Sequence, residues 1–197
     1  MSLDPFSIAL AATGSGLLAA GIAAQVRAHR LRRRWAEVGM GLEERATGLA
    51  SIAAIPVLYP AELETARATG TQLAVLAMRR YSEHPEEFGR RLKAATRAHE
   101  TGWRIDYDLF AVTITVADRD EALLAAARIG TDACGDEATR DLRIGIALAP
   151  QDGEDLFDVL DVATRRMRGF GVLDAVAAQL RRLDDGPELL DAHAAAG

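Results

Sequence analysis

The chain has 197 residues, 49% of them hydrophobic and 26% charged, with a formal net charge of −6. That length allows one domain with a proper core plus attachments, and leaves no room for a second large domain. The acidic balance excludes a general nucleic-acid binder, since a phosphate backbone rewards clustered cations, and the single cysteine, Cys134, excludes an internal disulfide and a cysteine-based zinc site.

Residues 1–5 are read as a short extracytoplasmic N-terminus. They precede "FSIALAATGSGLLAAGIAAQV", residues 6–26, which carries no charge. As a helix this stretch would be about 31 Å long, enough for a bilayer core of roughly 30 Å. Five arginines follow it (Arg27, Arg30, Arg32, Arg33 and Arg34), whereas Asp4 lies ahead of it. A cleaved signal peptide would carry its positive charge first, so the pattern favours a single transmembrane helix. A buried soluble helix is the other rival, and such a helix seldom stays uncharged over this length. The positive-inside rule then places the bulk of the chain in the cytoplasm, on the inner membrane, with the arginines against lipid headgroups. Gly14, Gly16 and Gly21 leave a small-residue face that another membrane helix could approach. Leu31, Trp35, Val38 and Leu42 recur at helical spacing and predict a basic juxtamembrane helix over residues 27–45, interrupted near Gly39 and Gly41.

From residue 46 the chain alternates strands and helices. "LAVLAM" (73–78) has strand length, and "EEFGRRLKAATRAH" (86–99) is an amphipathic helix opened by Pro85. "GWRID" and "LFAVTITV" form a hairpin with Asp106 and Tyr107 near its tip, although Tyr107 suits a positive-φ turn position poorly. A helix over 119–133, a strand over 142–150 stopped by Pro150, and a helix over 153–170 complete the domain, 46–171. This order predicts a ferredoxin-like α/β sandwich, of the nucleotide-cyclase palm type, with a mainly antiparallel sheet covered by helices on one face. A further amphipathic helix and polar tail occupy 172–197 and either dock on the domain or hold a partner. Cys134 is expected as a small core residue at a helix end. His29, His84, His99 and His193 have no ligand spacing and are expected at the surface.

Several landmarks occur in order along this domain. "ATGLAS" (46–51) is similar to an opening L-T-G-L-x-N motif, with Ser51 for the Asn. "RIDYDLF" (104–110) falls at a signature hairpin, and "IGIALAPQDG" (144–153) matches an I-G-x-A-x-x-P-x-D-G strand and turn. The following helix keeps Asp161, with Arg168 near a basic position. Across about residues 44–171 the chain therefore resembles the GGDEF family, the catalytic domain of diguanylate cyclases.

The resemblance implies a domain built to join two GTP molecules into cyclic di-GMP, with Mg²⁺ held by carboxylates at the end of the first central strand and at the signature. In this sequence Arg79 stands where the first-strand aspartate is expected, and Tyr81 where the next acid falls. At the signature, Asp106 and Tyr107 replace the paired glycines, Asp108 keeps the acid, Leu109 replaces the last acid and Phe110 closes the hairpin. The segment that would hold guanine is shortened. No cofactor, no metal and no catalytic residue are expected. Asp108 is either a solvated turn residue or the partner of Arg79 or Arg80 in the former metal site. "RAHE" places Arg97 and Glu100 at the offset of the family's R-x-x-D product-binding site; the plain reading is an i, i+3 surface pair near a helix end.

These expectations lead to a membrane-anchored, catalytically inactive GGDEF-like domain, an accessory, scaffold or regulatory subunit of a bacterial membrane complex. Its partners would be the lipid bilayer and a membrane protein, bound through the transmembrane or C-terminal helix, with a homodimer also open. The alternative is a non-catalytic receptor for cyclic di-GMP or another nucleotide. Weaker still is a residual enzyme contributing a half-site to an active partner.

Overall fold

The computed structural model describes residues 41–81, 84–135 and 141–184. The segment 6–26 expected to span the membrane, the five arginines after it and the tail lie outside the described residues. Among the described residues no helix is long and apolar enough to cross a membrane.

A short 3₁₀ turn, Ile52–Ala54, leads into helix α1, Ile55–Thr69. Ile55, Tyr59, Leu63 and Ala66 recur at helical spacing and are all buried. Gly70, at φ +69°, ends the helix in the left-handed conformation that favours glycine. Then come β1 (Gln72–Arg80), α2 (Pro85–Ala95), β2 (Thr101–Arg104), β3 (Phe110–Val116), α3 (Arg119–Cys134), β4 (Leu142–Ala149), α4 (Leu156–Arg165), β5 (Arg168–Gly169) and α5 (Phe170–Asp184). Asp118 caps α3, accepting from the amides of Asp120 and Glu121 at 3.0 and 2.9 Å.

The strands form one sheet in the order β2-β3-β1-β4-β5, antiparallel at every pairing. The first four have the ferredoxin-like arrangement the strand and helix order predicts. The helices, however, cover both faces of the sheet. Leu76 and Met78 point with Phe88, Leu92 and Ile129 into a core under α2 and α3, while Val75 and Ala77 point with Tyr59, Leu63, Val159 and Leu160 into a second core under α1 and α4. A strand buried on both faces reads as a continuous apolar run, and "LAVLAM" is one.

Two further boundaries differ from the expectation, and one open alternative is decided. Helix α2 stops at Ala95, where Thr96 turns extended. The helix expected over 153–170 ends at Arg165 and is followed by the two-residue strand β5. The C-terminal helix docks on the domain: Ala177 is buried, and the Phe170 ring lies so close to Gly130 that a Cβ there would meet it at 2.2 Å. Cys134 is buried at the end of α3, and His84 and His99 are exposed.

The opening motif pins the start of the domain to the hairpin. Ala50 forms a parallel bridge with Trp103, its amide donating to the Gly102 carbonyl at 2.8 Å while the Arg104 amide donates back at 3.0 Å. Ser51 Oγ donates to the Gly41 carbonyl at 2.7 Å, and Glu44 accepts from Arg104 at 2.8 Å. Thr47 is buried and donates to Glu44 at 2.5 Å; a Cβ at Gly89 of α2 would meet its methyl at 2.4 Å. The first described residues therefore lie beside the hairpin end of the sheet.

Candidate functional site

The hairpin connection is a five-residue loop rather than a tight turn. The amides of Ile105 and Asp106 both donate to the Leu109 carbonyl, at 2.9 and 3.1 Å, and Asp106 Oδ1 accepts from the Tyr107 amide at 2.7 Å. Such a loop needs no left-handed residue, and among the described residues only glycines have positive φ. Tyr107 thus sits here without strain, its side chain 66% exposed. Leu109 packs on the second core, and Phe110 is buried edge-on against Phe88, ring centroids 5.2 Å apart.

The end of β1 faces this loop. Arg79 Nε stands 3.7 Å from Asp108 Oδ1, the two side chains 33% and 39% exposed, and among the described residues that nitrogen has no hydrogen-bond acceptor. At 3.7 Å the contact is an ion pair and not a hydrogen bond. Arg80 is next along the strand and therefore on the opposite face of the sheet. Arg143 lies directly across from Arg79 on β4, and its guanidinium carbon sits 5.9 Å from the ring centroid of Tyr81. Neither Arg143 nor its approach to Tyr81 is legible in the sequence, because the pair depends on strand register.

Arg97 and Glu100 do not form the arrangement the sequence suggested. They bracket a turn beyond α2, in which the Glu100 amide donates to the Arg97 carbonyl at 3.0 Å. The Glu100 carboxylate is fully buried, one oxygen accepting from the Arg97 amide at 2.8 Å and the other pairing with Arg128 of α3. Arg128 also donates to the Ala95 carbonyl at 3.2 Å and lies 3.5 Å from Asp132. Glu100 is thus a structural latch between α2, β2 and α3, and is neither a surface partner of the Arg97 side chain nor an open ligand group. No local signal could reveal this, since Arg128 is 28 residues away.

Two further polar networks lie away from the signature loop. On α1, Glu62 accepts from the hydroxyls of Thr101 and Thr113, the latter at 2.5 Å, and Trp103 Nε1 donates to Thr113 Oγ1 at 2.9 Å. At the far end, Asp152 of the "PQDG" turn accepts from both terminal nitrogens of Arg166, at 2.7 and 2.8 Å. Those bonds, with one from the Leu148 amide at 2.9 Å, hold the Asp152 carboxyl below the usual range. The retained Asp161 makes an exposed i, i+4 pair with Arg165 at 2.5 Å, and Arg168 donates to the adjacent Met167 carbonyl.

The sheet order, the helices on both faces and the position of the hairpin define a GGDEF-like fold, the fold of diguanylate cyclase domains. A sensory box/GGDEF family protein from Caulobacter crescentus superposes with a TM-score of 0.52 at 19% identity, over 64% of this chain and 95% of that one. Diguanylate cyclase SiaD from Pseudomonas aeruginosa, solved in complex with its activator SiaC, gives 0.53 at 11% identity, over 81% of this chain and 71% of that one. The GGDEF domain of YfiN from the same organism gives 0.50 at 21% identity, over 59% and 86%. No family model matches the chain, and no curated protein does.

The Mg²⁺ implied by this fold does not fit the residues present. That ion takes octahedral oxygen ligands with carboxylates among them, whereas the guanidinium of Arg79 occupies the end of β1, beside Asp108. Among the described residues no three His, Cys, Asp or Glu side chains gather as ligands.

Proposed function

We propose that the protein is a membrane-anchored, catalytically inactive GGDEF-like domain that serves as an accessory, scaffold or regulatory subunit of a bacterial membrane complex. The observation that carries this reading is the Arg79–Asp108 pair. A cation set into the carboxylate position opposes metal binding directly, and phosphoryl transfer in this fold depends on metal-assisted charge neutralisation. The exposed Tyr107 in the loop adds bulk where the resemblance calls for glycine. SiaD, solved with its activator, is a precedent for a protein partner on this fold. The receptor alternative is weakened at Arg97 and Glu100, because the buried Glu100 carboxylate is already taken up by Arg128 and the Arg97 amide.

Two measurements test the proposal. Full-length protein with GTP and Mg²⁺ should form no cyclic di-GMP, and extraction in mild detergent should bring down a stoichiometric companion. Turnover that disappears in Asp108→Ala would overturn the inactive reading. A chain that leaves the membrane alone, with no companion, would overturn the scaffold reading.

A further inference from the structure

The register of β1 and β4 sets Arg79 and Arg143 directly opposite each other, so their side chains leave the same face of the sheet. Arg79 pairs with Arg143, which in turn pairs with Gly169 of β5. Like charges directly across an antiparallel pair oppose each other, so this row is unfavourable unless anions offset it. Asp108 is the acid at salt-bridge distance from Arg79, without a hydrogen bond to it. The row also has room: a Cβ at Gly169 would meet nothing within 4 Å. The Arg143 guanidinium carbon lies 5.9 Å from the Tyr81 ring centroid, within reach of a cation–π contact.

We infer that Arg79 and Arg143, beside Gly169 and Tyr81, form a metal-free site for a phosphate ester, filled in the anchored protein by the headgroup of an anionic lipid. Two guanidinium forks match phosphate oxygens bidentately, and phosphate outcompetes the loosely placed Asp108. The site lies at the end of the sheet where the described chain begins, tied by Ser51 to Gly41 and by Glu44 to Arg104. Only six residues separate Arg34 from Gly41, a reach of at most about 25 Å, which keeps this end near the basic run. Tyr81 and Tyr107, 61% and 66% exposed at the same end, suit a headgroup layer. This inference deepens the membrane-anchored reading and rests on it for the lipid source alone.

The test uses the full chain. In detergent micelles, inorganic phosphate should raise the melting temperature saturably above a chloride control of equal ionic strength. The Arg79→Gln/Arg143→Gln pair should weaken that binding at least tenfold, Arg143→Lys less, and Asp108→Asn should tighten it severalfold. Equal melting in phosphate and chloride overturns the site, as does unchanged binding in the double variant or weaker binding in Asp108→Asn. In nanodiscs, Tyr81 and Tyr107 should resist iodination on phosphatidylglycerol and react on phosphatidylcholine, with the difference lost in the double variant. Tyr59 is the unreactive reference, since burial and the charges of Asp155 and Glu62 push its hydroxyl up to about 12. Equal labelling on both discs, with phosphate binding intact, overturns the lipid source and assigns the site to a free phosphate. Failure of the chain to float with vesicles overturns the anchoring itself and leaves the phosphate measurement standing.

Discussion

Two arginine–aspartate pairs lie toward opposite ends of the sheet, and their construction is unlike. Asp152 and Arg166 meet through two hydrogen bonds, at 2.7 and 2.8 Å, and Asp152 takes a third from the Leu148 amide. Arg79 and Asp108 approach only to 3.7 Å, at a single pair of atoms. The first pair is fixed by everything around it, which is how a structural ion pair is built. The second balances charge and leaves a guanidinium able to take another acceptor. Residue type alone would rank the two pairs equally; geometry separates architecture from a site that can exchange partners.

The comparison can be broken at several strengths. Gly145→Ala should do the most damage, because its Cβ would fall 1.9 Å from the Ala163 carbonyl oxygen and 2.9 Å from the Met167 amide nitrogen, both backbone atoms. A loss of more than about 3 kcal/mol in urea unfolding is expected, with α4 forced away from β4. Arg128→Ala should cost about 3 kcal/mol in the same measurement, since it strips the buried Glu100 carboxylate of its cation. Asp152→Ala should cost roughly 2 kcal/mol, the worth of hydrogen bonds to charged groups.

Acid sharpens that last case. The folded Asp152 carboxyl lies below its unfolded value, so its contribution is present above about pH 4 and fades as pH falls through the lower, folded value. Melting curves of Asp152→Asn should therefore fall less steeply with acid than those of the parent. Asp108→Asn should change stability by no more than about 0.5 kcal/mol, as expected for a partly exposed pair without a hydrogen bond. An Asp108→Asn loss as large as that of Asp152→Ala would erase the distinction between the two ends.

Much of this was legible in the residues. The apolar run "LAVLAM" and the hairpin flanks are local signals, and they appear as a strand and a hairpin. Helix α1 was missed even though Ile55, Tyr59, Leu63 and Ala66 carry the period. Pro56 and Pro60 obscured it, the first being harmless at the start of a helix and the second removing only one amide. Without α1, the second face of the sheet looked bare. The Arg79–Asp108 proximity could be framed from the sequence because a family landmark sits at each residue. The Glu100–Arg128 latch and the Arg79–Arg143 row could not, since they arise from helix packing and strand register between distant segments.

The Asp152–Arg166 pair has one more consequence, for the outer side of β4. Strand β5 covers only Arg143 and Ile144 there. Further along, the Ile146 carbonyl accepts from Arg166 at 3.4 Å, the Leu148 amide donates to the Asp152 carboxylate at 2.9 Å, and the Leu148 carbonyl accepts from the Asp152 amide at 2.8 Å. Side chains and a turn thus make the bonds that a neighbouring strand would offer. An open rim of this kind is where one molecule can recruit another into a growing β-aggregate. Here it is sealed by the Asp152–Arg166 pair together with the turn that carries Asp152, so the group that steadies the fold also keeps the sheet from extending.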